Sequence, residues 1–221
     1  MNLNNYDTWI FDLDNTLYSA ETGIFDQVDI LMGKFISKNL KLEISEAKKI
    51  QKQFFKEFGT TLKGLMDEYN VDPEHFLDEV HNLDYSIINP DNLLRDMLLK
   101  LNGRKIIYTN ANRNHANEII KRLNIENIFD NIFDIKDANY IPKPDIKPYQ
   151  QLVNLYKINP QKTIMFDDIA RNLVPASKIG FTTVWINVGK ENYSDNIKES
   201  KEYLDYETTN LPLWLNSIIK D

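Results

Sequence analysis

The chain has no cysteine and only 3 histidines among 221 residues. The first absence excludes disulfides, thiolate nucleophiles, Cys-ligated zinc and iron–sulfur clusters, and the second argues against a His-rich metal site. Any metal is therefore expected on oxygen ligands. Long hydrophobic runs are also missing: no stretch approaches the ~20 apolar residues of a membrane span. Met1 to Ile10 carries charged and amide side chains where a secretory leader needs an apolar run, so a cytoplasmic location is expected. There is no excess of basic charge. The 33 acidic against 26 basic side chains leave a net charge of -7, which argues against nucleic acid or an anionic membrane as partner. With 7 Gly, 8 Pro and 42% hydrophobic residues, the composition is that of a folded chain and not of a collagen-like or disordered one.

What is present alternates between two periods. Thr8-Trp9-Ile10-Phe11, Lys105 to Tyr108, Thr163 to Phe166 and Thr182 to Ile186 are short β-branched or aromatic runs that read as buried strands. Asn131 to Ile135 is a weaker fifth. Polar residues follow each run. Between them, Leu93, Leu94, Met97, Leu98 and Leu101 recur at helical spacing, as do Ala116, Ile119, Ile120 and Leu123, and Tyr149, Leu152, Val153 and Tyr156. Strand–helix alternation implies right-handed βαβ units and a parallel sheet, with the ligand site at the carboxyl ends of the strands.

From Ser19 to Ile88 the periodicity is helical throughout. Phe25, Val28, Leu31, Met32 and Phe35 form one stripe; Ile44, Ala47, Ile50, Phe54 and Phe58 form another. Asp72-Pro73-Glu74 is a helix start, with Asp as cap and Pro in the first turn. The expected organisation is an α/β core of residues 1–18 and 89–221 with a helical unit of residues 19–88 inserted after the first strand. Asn210 to Asp221, with Leu211, Leu213, Trp214, Leu215 and Ile218, reads as a closing helix.

Four polar elements sit in this frame. Asp12-x-Asp14-x-Thr16 after the first strand suits a nucleophile that also binds a divalent cation, paired with a proton-transfer group; the same residues also suit an ordinary Asp/Asn-rich turn. Thr109-Asn110 offers a hydroxyl and an N–H at a helix start, as phosphate needs, or a plain helix cap. Lys143 lies in a loop stiffened by three prolines, Pro142, Pro144 and Pro148. Asp167-Asp168 is a like-charge pair that needs a cation or base nearby, unless it is an exposed acidic turn.

In this order and in βα context, Asp12-Leu13-Asp14-Asn15-Thr16, Thr109-Asn110, Lys143-Pro144 and Asp167-Asp168 resemble the four motifs of the haloacid dehalogenase-like phosphohydrolase superfamily. That resemblance implies a Rossmann-like parallel sheet with an inserted α-helical cap. It further implies Asp12 as nucleophile and Mg²⁺ ligand, and Asp14 as general acid/base that also offers its backbone carbonyl to the metal. Thr109 and Asn110 would bind the transferring phosphoryl group, Lys143 would hold nucleophile and phosphate charges together, and Asp168 would be a further Mg²⁺ ligand, with Asp167 acting at one remove. The superfamily's later acidic residue is Asn172 here, where an amide can support the metal's waters.

Within the superfamily the chain is similar to the pyrimidine 5′-nucleotidase-like group, through Phe11 to Tyr18, Thr109-Asn110-Ala111 with His115-Ala116, Phe166-Asp167-Asp168, and the stretches Lys56 to Met66 and Val80 to Tyr85. The expected activity is Mg²⁺-dependent hydrolysis of a small phosphorylated metabolite, with pyrimidine nucleoside 5′-monophosphates foremost. A sugar phosphate is the alternative substrate, and a catalytically silent binding protein on the same scaffold is the alternative class. Gly59 to Gly64 reads either as a loop projecting into the cleft or as a helix boundary. His81 and Tyr85, four apart, are expected to share a helix face and contact a base, or else to pack structurally. Arg113 and His115 are expected on the surface of their helix, or else to reach phosphate or ribose, and Trp185 and the Phe54/Phe55 pair in the core.

Overall fold

The structure, a computed structural model, describes residues 3–189 and 197–219. Six parallel strands form one sheet: β1 (Thr8–Phe11), β2 (Arg104–Tyr108), β3 (Asn131–Phe133), β4 (Thr163–Asp167), β5 (Thr182–Ile186) and β6 (Tyr206–Thr208), in the order β3-β2-β1-β4-β5-β6. The chain order reverses between β1 and β4, which makes the carboxyl ends of β1, β2 and β4 the place where a ligand crevice opens in such sheets. β1 is buried at every residue; it lies between two neighbours and under helices on both faces, so an unbroken apolar run is what burial selects. Edge strand β6 has three residues, two of them exposed, too short and polar to leave a period in the sequence.

Helices α5 (Asn92–Lys100), α6 (Arg113–Arg122), α7 (Ile146–Tyr156), α8 (Ala170–Lys178), the short α9 (Ile197–Ser200) and α10 (Leu211–Ile219) complete the α/β layers. Their starts follow capping chemistry. Asp91, Asn112 and Asp145 each accept a backbone N–H of the first turn. Two apolar clusters cover the sheet. One gathers Phe11, Leu94, Leu98, Ile119, Phe166 and Leu215; the other gathers Ile10, Tyr108, Tyr149, Leu152, Met165 and Leu173.

Between β1 and α5 the described chain is helical: α1 (Ile24–Leu40), α2 (Ile44–Phe58), α3 (Thr61–Tyr69) and α4 (Pro73–Val80), with single 3₁₀ turns at Ala20–Thr22 and Tyr85–Ile87. α4 begins at the expected Asp72-Pro73, the Asp72 side chain accepting from the Glu74 N–H at 3.2 Å. These helices share their own core of Phe35, Ile36, Ala47, Phe54, Leu65 and Phe76. Gly64 lies inside α3, where a Cβ would come within 2.3 Å of the Phe54 ring; a larger residue would push α2 and α3 apart. The expected loop from Gly59 to Gly64 is therefore mostly helix, and only Gly59 and Thr60 join α2 to α3. Phe54 is core, as expected, but Phe55 is half-buried and lies under the Arg171 guanidinium at 4.4 Å.

Candidate active site

The carboxyl ends of β1, β2 and β4 meet around one buried ammonium. Lys143, 2% exposed, donates from Nζ to Asp12 Oδ1 at 2.7 Å, Asp167 Oδ2 at 2.6 Å and the Tyr108 carbonyl oxygen at 3.1 Å. β1 and β4 are paired with Phe11 beside Phe166, so Asp12 and Asp167 emerge side by side. Lys143 itself comes from the loop before α7. Asn110, at the end of β2, clasps it: Oδ1 accepts from the Lys143 N–H at 2.9 Å and Nδ2 donates to its carbonyl oxygen at 3.4 Å. The Asn110 amide is thus engaged in holding the lysine, not directed at an anion. Thr109, 1% exposed, accepts the Ala111 N–H on its hydroxyl at 3.0 Å.

Asp167 is fully supported, its Oδ1 accepting from the Ile169 N–H at 2.9 Å and from Asn172 Nδ2 at 3.0 Å. Asn172 therefore acts on Asp167. Asp168 accepts from Asn15 Nδ2 at 3.3 Å, and its carbonyl oxygen accepts from Trp185 Nε1 at 2.9 Å. Trp185 is buried as expected, yet it also braces this turn. Asn15 adopts φ 59, a left-handed conformation that Gly and Asn tolerate best.

Asp12, Asp167 and Asp168 each place a carboxylate oxygen within 4.8 Å of the others, and all three are buried. One ammonium offsets three acids. Burial pushes the Asp12 carboxyl up to about 7, with Lys143 opposing and Asp167 adding to the rise. Burial together with the charges of Asp12 and Asp167 holds Asp168 well above the usual carboxylate range. A small, hard divalent cation is what such a donor set fits: oxygen ligands only, with excess negative charge. Beside it, Asn15 Oδ1 and Thr16 Oγ1 are buried with no partner among the described residues, which leaves polar capacity for an ion's shell or a substrate.

Asp14 has a different environment. Its Oδ1 accepts from the Tyr18 hydroxyl at 2.5 Å and lies 2.8 Å from His115 Nε2. Burial raises this carboxyl, but His115 and Tyr18 outweigh it and hold it below its ordinary value. His115 is not on the surface as expected. It is 1% exposed, because Asn112 caps α6 by accepting its N–H at 2.9 Å and this position of the first turn faces inward. Arg113, one turn position away, does face outward and pairs with Asp137 at 2.6 Å.

His81 and Tyr85 do not share a helix face. α4 stops at Val80, His81 terminates it, and Tyr85 opens a separate 3₁₀ turn. Both pack on His115: the His81 ring stacks on it at 4.4 Å and the Tyr85 hydroxyl lies 2.9 Å from its Nδ1. Burial, with His115 adding, pushes His81 down to about 3. The structural alternative for these two residues is the one the geometry favours.

The family profile of the haloacid dehalogenase-like hydrolases matches residues 6–180. The chain belongs to that family. Among curated proteins of this kind, it is 31% identical to phosphate metabolism protein 8 of Saccharomyces cerevisiae over 163 residues, 64% of this chain and 49% of the yeast protein. The match thus spans about half of that relative's length. It is 26% identical to a glyceraldehyde 3-phosphate phosphatase of Pyrococcus furiosus, over 96% of this chain and 92% of the archaeal one. In fold it is similar to the magnesium-bound HAD-hydrolase YfnB from Bacillus subtilis, with TM-score 0.63, 16% identity and coverage of 98% and 99% of the two chains.

Two contacts of this haloacid dehalogenase-like hydrolase left no readable signal. Tyr18 reaches Asp14 from the same loop, four residues on. Arg171 donates from Nη2 to the Phe55 carbonyl oxygen at 3.0 Å and to that of Gly59 at 3.2 Å, tying the α2–α3 junction to α8. Gly59, with φ 87, sits so close to Lys143 that a Cβ would stand 3.1 Å from its carbonyl oxygen. A cleft of about 350 Å³ lies at this seam, lined by Lys56, Gly59, Lys63, Pro142, Pro144 and Arg171. None of the three clustered carboxylates lines it. No helix among the described residues is long and apolar enough to cross a membrane.

Proposed function

We propose that this protein is a Mg²⁺-dependent phosphomonoesterase that works through an aspartyl-phosphate intermediate. The observation that carries the reading is the buried cluster of Asp12, Lys143, Asp167 and Asp168, with a separately held Asp14 two residues beyond Asp12. Asp12 and Asp168, with the Asp14 backbone carbonyl, would hold Mg²⁺. The bound ion offsets the negative charge that nucleophile and phosphate share, the main obstacle to attack on a dianionic ester.

The chain's own residues then divide the work. Asp12 attacks phosphorus while Lys143 stays paired with it and holds the charges of carboxylate and phosphate together. Thr109 meets the transferring phosphoryl group, with Asn110 keeping Lys143 in place beside it. Asp14 gives its proton to the departing ester oxygen and afterwards takes one from the water that hydrolyses the acyl phosphate. This use of Asp14 favours phosphate transfer over dehalogenation, since a halide leaves without a proton. Residues 19–88 serve as a cap over the site, excluding water while the acyl phosphate exists.

The substrate is a small phosphorylated metabolite, foremost a pyrimidine nucleoside 5′-monophosphate, a reading that the motif similarity supports. A second reading, a sugar phosphate, is supported by the Pyrococcus furiosus relative, which bears the name glyceraldehyde 3-phosphate phosphatase. Phosphate release from nucleoside monophosphates and sugar phosphates, with Mg²⁺ or EDTA, tests both. The expected result is metal-dependent release that Asp12→Asn abolishes, strongest with UMP and CMP. Release concentrated on sugar phosphates selects the second reading. Near-normal turnover by Asp12→Asn overturns the mechanism, and no release from any compound supports a silent binding protein.

A further inference from the structure

Asp14 is held through one oxygen only. The Tyr18 hydroxyl and His115 Nε2 both meet Oδ1, at 2.5 and 2.8 Å, and no described residue bonds Oδ2. An oxygen that accepts two hydrogen bonds has both lone pairs directed at donors, so a proton taken up by this carboxyl goes to Oδ2. Two donors on one oxygen also fix the carboxyl plane, which a single bond would leave free to rotate.

The donor from α6 is fixed in its turn. The His115 side chain is fully enclosed, at 0% exposure against 17% for Asp14. An ionised carboxylate can only accept, so Nε2 carries a ring hydrogen, and Nδ1 faces the Tyr85 hydroxyl at 2.9 Å. That hydroxyl donates to the His81 carbonyl oxygen at 3.0 Å. The His81 ring lies nearly parallel to the His115 ring, 18° between planes, and the Tyr85 ring is tilted 5.6 Å away. His81 and Tyr85 both belong to the segment between α4 and α5, where the chain returns from the inserted helices to the core. A histidine that merely packs would not aim one nitrogen at a carboxylate and the other at a hydroxyl.

We propose that His115 is a positioning residue: held by Tyr85 and His81, it fixes Asp14 so that Oδ2 is the oxygen that carries the transferable proton. The proposal deepens the phosphatase reading and rests on Asp14 acting there as proton donor.

The test compares esters that differ in their need for that proton. An alkoxide needs a proton as it leaves and p-nitrophenolate does not, so kcat/KM for an alkyl phosphate tracks the acid while that for p-nitrophenyl phosphate barely does. His115→Asn, which shortens the donor's reach, is expected to lower the alkyl value by about 10–100-fold, the cost of misplacing a catalytic group, and to leave the aryl value nearly unchanged. His115→Gln, whose amide nitrogen extends about as far as Nε2, is expected to recover most of the loss. Tyr85→Phe is expected to show a smaller loss with the same alkyl-over-aryl bias. Equal losses on both esters in variants of normal melting temperature, or no loss in His115→Asn, would overturn the proposal.

A second readout does not depend on turnover. In the ¹⁵N spectrum of the wild-type side chains, His115 is expected to carry a hydrogen on Nε2, with an Nε2 shift that moves in Asp14→Ala. An Nε2 without a hydrogen, or an unmoved shift, refutes the clamp. A wild type inactive on every ester would overturn the phosphatase reading and, with it, the role of the clamp in proton transfer.

Discussion

Asp12 and Asp14 are two residues apart on one loop, yet their surroundings are opposite. Asp12 faces Asp167 and Asp168 with a single ammonium among them, and burial drives its carboxyl up to about 7. Asp14 faces a hydroxyl and an imidazole, and its carboxyl is held below its ordinary value despite burial. The first region is short of positive charge, which the proposed ion would supply. The second region is satisfied within the chain. A buried acid with too few donors marks where an ion or substrate belongs, and one with its donors supplied marks a group held for use.

The contrast can be broken from either side. The largest effect is expected from Lys143→Met, which leaves buried acids without their ammonium. Stability should fall by about 3–5 kcal/mol, as when one partner of a buried pair is removed, together with loss of turnover; urea denaturation and phosphate release measure the two. A smaller loss of stability would mean that the acids already share protons. Next, Asp14→Asn is expected to lower turnover by roughly 10²–10⁴, the usual worth of general acid/base catalysis. Its melting temperature should change little, because the amide oxygen still accepts from Tyr18 and His115.

The pH dependence of the metal-free protein sharpens the comparison. Asp12 has a folded-state value of about 7 against an ordinary 3.8, so between those limits the folded chain binds more protons than the unfolded one. Stability from this group is fully present below about pH 3.8 and is lost as pH rises through about 7. Asp14 is shifted the other way, and its contribution is present above its ordinary value and lost as pH falls below it. Melting in EDTA should therefore show Asp12→Asn removing part of the decline from pH 5 to pH 8. Mg²⁺, which binds only the folded cluster, should raise the melting temperature more at pH 8 than at pH 5. Equal Mg²⁺ shifts at the two pH values would refute the account. The smallest effect is expected from Trp185→Phe, which removes the bond to the Asp168 carbonyl oxygen. It should cost about 1 kcal/mol in urea denaturation and should weaken Mg²⁺ binding measured by calorimetry.

Five of the six strands were legible because buried parallel strands are continuous apolar runs; β6 was not, since three largely exposed edge residues carry no such pattern. The α4 start was legible through Asp72-Pro73, a purely local cap. The α2–α3 junction was harder, because Gly64 serves close packing against Phe54 and not a turn. Among the site residues, those at strand ends came together as the topology requires, whereas His115 is buried instead of on the surface, and His81 and Tyr85 pack on it instead of sharing a helix face. A helical stretch states its period, but the direction a first-turn residue faces depends on where the cap places the helix.

The sequence alone determines which chemistry is available and where it converges, because parallel βαβ connectivity brings every strand's carboxyl end to one edge of the sheet. Asp12 and Thr109 follow their strands directly and Asp167 ends its own, and no long-range information is needed to bring them there. Only the tertiary structure decides what each acid is bonded to. His115 reaches Asp14 across 101 residues of chain, and Arg171 reaches Gly59 across 112. Such bonds depend on helix rotation and element spacing to within about an ångström, a precision set by packing, not by residue order.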